Sequence, residues 1–172
     1  PKVIGFGETG LDYHYNSDTK EAQKRLFRIH LKAAKKTGLP VIIHTRDAEE
    51  DTLEILKSEA SPSLKGVLHC FSSRAFLATE ALKLGFYVSA SGIITFGKAE
   101  ELRQTFKEIP LERLLVETDS PYLSPVPFRG KTNRPSYVVK TAEKLAEIKG
   151  ISVEELSEIT TRNFLTLFGK AV

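Results

Sequence analysis

Residues 3–12 read VIGFGETGLD: a short apolar run that stops at a carboxylate, Glu8, set among glycines. A run this short and rich in β-branched residues reads as a buried strand, expected over residues 3–6. Comparable runs recur at residues 41–43, 67–68, 86–88 and 114–116. Amphipathic helix patterns separate them. In the first, Ala22, Leu26, Ile29 and Ala33 share a face expected to pack on the sheet, Ser17 or Asp18 can cap the start, and Gly38 with Pro40 stops it. Further helices are expected over 48–57, 75–84 and 99–107. Strand–helix alternation at this spacing implies βαβ units and a parallel sheet, open or closed. Beyond Asp119 comes a proline-rich loop, SPYLSPVPFRGKTNRP (120–135), then two helices near 136–149 and 153–168, the second opened by an S-x-x-E capping box at Ser152 and Glu155. No repeat or linker marks a boundary, so residues 1–172 read as a single domain.

Composition narrows the class. The chain has 172 residues, 41% hydrophobic and 27% charged, enough for one sizeable core. No run is long enough to span a membrane and no basic stretch leads into an apolar one, so the chain reads as cytoplasmic, with no membrane partner and no obligate protein partner evident. The single cysteine, Cys70, can form neither an internal disulfide nor a Cys-rich zinc site, which fits a reducing compartment. A formal charge of +3 and a pI near 9.0 permit an acidic partner such as nucleic acid, but the lysines are interleaved with glutamates and do not by themselves establish one. The chain lacks methionine altogether, and residue 1 stands close to the edge of the first strand. We expect a fragment whose upstream part is missing.

The strands finish as FGETG, VIIHT, VLHCF, YVSAS and LLVETD. Four of the five end in a metal-competent side chain: Glu8, His44, His69 and Asp119. Parallel strands point the same way, so these four are expected to meet at the carboxyl edge of the sheet, where α/β proteins build their sites. Singly, each has an ordinary structural explanation, as a core histidine or a helix cap. Jointly, four uncompensated polar groups in one small region are costly to bury, and a divalent cation compensates them. Glu117, two residues before Asp119, is placed to orient a ligand. Arg46 and Arg129 are candidate phosphate contacts, and His14 a candidate substrate contact at the mouth. His30 reads as structural, and strand alternation is expected to turn Cys70 toward the helices, away from His69.

The segments GETGLDYHY, PVIIHTRDA, HCFS, PLERLLVETDSPYLSPVPFRGK and TRNFLTLF, in that order, resemble the TatD family of metal-dependent deoxyribonucleases over essentially the whole chain. The resemblance implies a TIM-barrel-like fold of the amidohydrolase type with a divalent metal site, usually two ions, at the strand ends. It makes Glu8 the carboxylate bridging both ions, His44 and His69 ligands of one, and Asp119 a ligand of the other beside the attacking water. The implied reaction is hydrolysis of DNA phosphodiester bonds, often 3′ to 5′ exonuclease action on single-stranded DNA, with zinc, manganese or magnesium as the metal. Two ions about 3.5–4 Å apart would activate water and stabilise both the attacking and leaving oxygens.

Three departures qualify this. The family's first strand carries an H-x-H pair absent here, so two βα units are expected to be missing upstream. A complete barrel needs about 250 residues, and about five strands cannot close one. The runs HCFSS (69–73) and TFGKAEE (95–101) also differ locally from the family pattern. The expected consequences are one retained metal site at Glu8, His44 and His69, a weaker second site at Glu8 and Asp119, and poor nuclease activity in this chain against a competent full-length parent. The alternatives are hydrolysis of another ester or an amide, as in an aminoacyl-tRNA deacylase, or an inactive fragment serving as an interaction module.

Overall fold

The computed structural model describes residues 2–15 and 17–171, so the reading of residue 1 lies outside the described residues. Five parallel strands form one sheet in sequential order: β1 (Phe6–Asp12), β2 (Val41–Arg46), β3 (Gly66–Leu68), β4 (Tyr87–Ala90) and β5 (Leu114–Val116). The connecting helices are α1 (Lys20–Thr37), α2 (Glu49–Glu59), α3 (Ala75–Lys83) and α4 (Glu100–Glu108), with α5 (Val138–Lys149) and α6 (Val153–Leu167) after the long loop. The α/β class and parallel sheet are as expected, and the sheet does not close. No helix among the described residues is long and apolar enough to cross a membrane.

Alternation along the strands divides the molecule into two faces. Val41, Ile43, Leu68, Val88 and Leu114 enter the main core beneath the helices with Phe27, Leu31, Ile55, Leu77 and Phe106. Ile42, Val67 and Leu115 point the other way, into a second apolar cluster with Leu167 and Phe168. Two residues further along three of these strands stand His44, His69 and Glu117. The site therefore belongs to the face turned away from the α1–α4 helices.

Three sequence expectations are corrected in the first strand and helix. The first strand is not residues 3–6 but Phe6–Asp12, so Glu8 lies inside it. Phe6 pairs with Val41 and Thr9 with Ile43, three steps on β1 against two on β2, and this bulge is what lets a carboxylate and two glycines sit within a strand. The inward face of α1 is also different. Phe27, Leu31 and Ala34 are buried, whereas Leu26 and Ile29 are 52% and 53% exposed. Two polar residues on the inward side explain the shift: His30 Nδ1 meets Thr9 Oγ1 at 2.6 Å, and Gln23 brackets Asp12, accepting from its amide at 2.7 Å and donating to its carbonyl at 3.0 Å. The helix begins after a 3-10 turn at Ser17–Thr19, later than a cap at Ser17 or Asp18 implies, and ends at Gly38 in the left-handed conformation.

Helix α6 is stitched to the chain before and within β5 by one buried polar side chain. Asn163 of α6 donates to the Leu111 and Leu114 carbonyls, both at 2.8 Å. Ser152 caps α6 by accepting from the Glu155 amide at 3.1 Å.

Candidate metal centre

Glu8 reaches the site because the bulge turns it out of the ladder, and Gly10 keeps β1 close to β2, opposite His44. Glu8 Oε1 lies 2.9 Å from His44 Nδ1 and 3.0 Å from His69 Nε2. One donor each from within β1, from within β2 and from just past the end of β3 thus falls within 4.8 Å of the others. The outer nitrogens are fixed from behind: His44 Nε2 faces Asp12 Oδ2 at 3.0 Å and His69 Nδ1 faces Glu117 Oε1 at 3.1 Å. With those nitrogens donating to carboxylates, His44 Nδ1 and His69 Nε2 present lone pairs toward Glu8.

The donor set fits a divalent cation. His69 Nε2 is buried and makes no well-aligned hydrogen bond, but faces the Glu8 carboxylate at 3.0 Å, a placement that a cation shared by the two would satisfy. The 2.9 and 3.0 Å separations are close to the ~3.3 Å edge of a tetrahedron with metal–nitrogen bonds of about 2.0 Å. Two imidazoles and a carboxylate suit zinc or manganese better than magnesium.

Without an ion, charges inside the cluster compensate one another. His44 and then His69 hold the Glu8 carboxyl well below the usual carboxylate range. Burial pulls the His69 imidazolium down, but Glu117 and Glu8 outweigh it and push the group up to about 10. Glu8, against the cost of burial, also raises His44. Asp119 is different: burial raises its carboxyl, with Glu117 and Glu8 adding to the effect.

Asp119 follows β5 in the left-handed conformation, φ 57°. One of its carboxylate oxygens, a ring nitrogen of His69 and a carboxylate oxygen of Glu117 form a second group within 4.8 Å. Asp119, Glu8, His44 and His69 all border one cleft of about 750 Å³. The loop carrying Asp119 is fastened by Asn133, whose Nδ2 donates to the Thr118 carbonyl at 2.7 Å and the Tyr122 carbonyl at 2.6 Å.

Of the candidate substrate contacts, Arg46 borders the cleft beside Tyr15. His14 does not border it; its Nδ1 faces Asp47 Oδ2 at 3.0 Å on the surface. Arg129 is exposed, with its guanidinium 3.7 Å from the Phe96 ring centroid, and is likewise not among the residues bordering the cleft. Cys70 is corrected: β3 ends at Leu68, and the positive φ of 44° at Cys70 breaks the alternation, so the residue borders the cleft and its thiol donates to Ser91 Oγ at 3.3 Å. Burial pushes that thiol up to about 12, which keeps it protonated. Sequence reasoning missed Asp12 and Asn133. Asp12 shares the period-2 face of Glu8 and was discoverable on that basis, whereas nothing periodic marks Asn133.

A family model described as "TatD related DNase" matches residues 1–169. The chain is 54% identical over 166 residues to an "Uncharacterized metal-dependent hydrolase BU355" of Buchnera aphidicola, covering 96% of this chain and 63% of the relative. It is 48% identical to an "Uncharacterized metal-dependent hydrolase YabD" of Bacillus subtilis, covering 97% and 66%. Among solved structures, the TatD homologue YJJV of Escherichia coli superimposes with a TM-score of 0.91 at 33% identity, over 98% of this chain and 64% of that one. A TatD family hydrolase of Entamoeba histolytica gives a TM-score of 0.82 at 26% identity, over 97% and 64%. The chain thus spans slightly under two thirds of the length of these relatives.

Proposed function

The chain belongs to the family described as TatD related DNase, and on that premise we propose that its strand ends bind a divalent cation and serve the hydrolysis of phosphodiester bonds in DNA. The observation that carries the reading is the buried Nε2 of His69, which makes no well-aligned hydrogen bond and faces the Glu8 carboxylate at 3.0 Å beside His44. In this reading Glu8, His44 and His69 are ligands, Asp12 and Glu117 hold the imidazoles in register, and Asp119 with Glu8 serves a second, weaker cation position. A bound cation would supply Lewis-acid polarisation of a phosphoryl oxygen and acidify a water nearby. The chain's own residues do the rest. Asp119, raised by burial and by the carboxylates around it, is suited to accept a proton from an attacking water, and Arg46 offers a positive charge to a phosphate at the cleft's rim.

The test pairs binding with turnover. Manganese and zinc titrations by calorimetry should give binding to the wild type, strong loss in His69→Ala, and a tenfold to hundredfold weakening in Glu117→Gln, the usual range for a ligand-orienting partner. Manganese-dependent cleavage of single-stranded DNA, set against hydrolysis of an aminoacyl ester, checks the substrate class. Equal manganese affinity in wild type and His69→Ala would remove His69 from the site, and turnover of the ester alone would replace the nuclease reading with a deacylase.

A further inference from the structure

Two of the five tyrosines, Tyr15 and Tyr122, are 70% exposed, and both stand on the cleft that holds Glu8, His44, His69 and Asp119. The other three are engaged. Tyr13 donates to Asp51 Oδ2 at 2.6 Å, Tyr87 is buried in the second apolar cluster, and Tyr137 stacks on Phe128 at 3.9 Å between centroids. Isolated exposed aromatics are common on protein surfaces, but these two come from opposite ends of the chain's strand order, one after β1 and one after β5, and meet at one opening.

Their backbones are fixed to the metal centre's own neighbours. The Tyr15 amide donates at 2.9 Å to Asp12 Oδ1, the carboxylate whose other oxygen faces His44. The Tyr122 amide donates at 2.9 Å to the carbonyl of Asp119, and its own carbonyl accepts from Asn133 at 2.6 Å. Each ring is therefore tethered close to the donor cluster and stays largely exposed, Tyr15 with Arg46 over its ring and the His14 ring edge-on at 4.7 Å between centroids. Arg46 steadies the first ring, with its guanidinium 4.8 Å from the Tyr15 centroid. A rigid backbone carrying a solvent-exposed ring is a stacking platform prepared in advance of its ligand.

We propose that Tyr15 and Tyr122 form a base-stacking clamp that selects single-stranded polynucleotide, each ring receiving a nucleobase next to the phosphodiester at the metal centre. The inference rests on the phosphodiesterase reading and adds its specificity element. Stacking tolerates any base sequence because every base presents a π-face. It rejects duplex, whose bases already stack on one another and reach a side chain only after unpairing. Arg46, beside Tyr15 on the rim, supplies the charge for the intervening phosphate.

The experiment measures binding of a fluorescent oligo(dT), an abasic oligonucleotide of equal length and a duplex to the whole chain by anisotropy, in EDTA so that no cleavage occurs. Wild type should bind oligo(dT) more tightly than either alternative. Tyr122→Leu and Tyr15→Leu should each weaken oligo(dT) on the order of tenfold and leave the abasic strand unchanged, while Tyr122→Phe, which keeps the ring, should bind as wild type. Equal affinity for oligo(dT) and the abasic strand, or Leu variants indistinguishable from wild type, overturns the clamp. Manganese titration of the same proteins keeps the two readings separate: wild type without manganese affinity defeats the metal reading, and the oligo(dT)-to-abasic ratio still decides the clamp.

Discussion

Asn133 is 3% exposed, and its side chain satisfies three backbone groups: the carbonyls of Thr118 and Tyr122, and the amide of Arg134 at 2.9 Å. It spans the turn in which the Tyr122 amide bonds the Asp119 carbonyl, so one amide side chain sets the position of a candidate acid–base residue. Asn133→Ala should cost about 1–3 kcal/mol in urea unfolding, since it removes the donor to two part-buried carbonyls. Asn133→Asp should cost more, because it turns an acceptor toward acceptors. Manganese affinity at Glu8, His44 and His69 should change little in the alanine variant, as none of those ligands rides on the loop. An alanine variant as stable as wild type would show that water takes over both bonds without cost. The contrast with Glu117 shows what single residues disclose. Glu117 was readable because it lies on the period-2 face of a recognisable strand, whereas Asn133 lies in a loop whose partners are fixed only by the folded chain.

The element on which the site turns is β1. At Gly10 the backbone has φ 151°, and a Cβ there would run into the carbonyl oxygen of His44. Gly10→Ala must push β1 off β2 and carry Glu8 away from His44, so stability should fall by at least about 2 kcal/mol and manganese affinity with it. Gly38 makes a useful contrast. It too has positive φ, 67°, but a Cβ there meets open space, so Gly38→Ala should cost only about 1 kcal/mol and leave metal binding alone. Similar losses of affinity in both variants would mean that the effect is general destabilisation and not strand spacing. The strands at 41–46 and 114–116 were legible from the apolar runs 41–43 and 114–116, because one face enters the main core and the other meets the second apolar cluster. The bulge in β1 was not, since it interrupts the very alternation by which strands are recognised. The inward face of α1 departs from its apolar periodicity for a related reason: the periodicity points to Leu26 and Ile29, while hydrogen bonds from Gln23 and His30 to β1 turn the helix elsewhere.

At the scale of the whole molecule, the sheet is an open arc in which neighbouring strands are also neighbours in sequence. Strand–helix alternation was enough to foresee the parallel pairing, because a parallel pair needs a crossover, but it left the sheet open or closed. One donor each from β1, from β2 and from the end of β3 means that a bound cation would tie consecutive strand ends together, and binding only the folded state stabilises it. At a hundredfold excess over Kd the gain is about 2.7 kcal/mol, or a rise in Tm of about 5–11 °C for a chain of this size. The size of that rise should depend on pH in a definite sense. His69 in the metal-free fold is raised from 6.5 to about 10, so its contribution is fully present below 6.5 and fades as pH climbs toward 10. Glu8 is depressed, so its contribution is present above its ordinary 4.5 and is lost only as pH falls through its lowered value. Between 6.5 and 10 the cluster therefore loses its internal ion pairing, while the proton that competes with a cation for His69 becomes easier to displace. The manganese-induced rise in Tm should grow with pH across this interval, reverse on adding EDTA, and vanish in His44→Ala and His69→Ala, whereas Asp119→Asn should retain most of it because Asp119 lies outside the three-donor set. A rise independent of pH, or one abolished by Asp119→Asn and kept by His44→Ala, would move the cation to the neighbouring cluster of His69, Glu117 and Asp119.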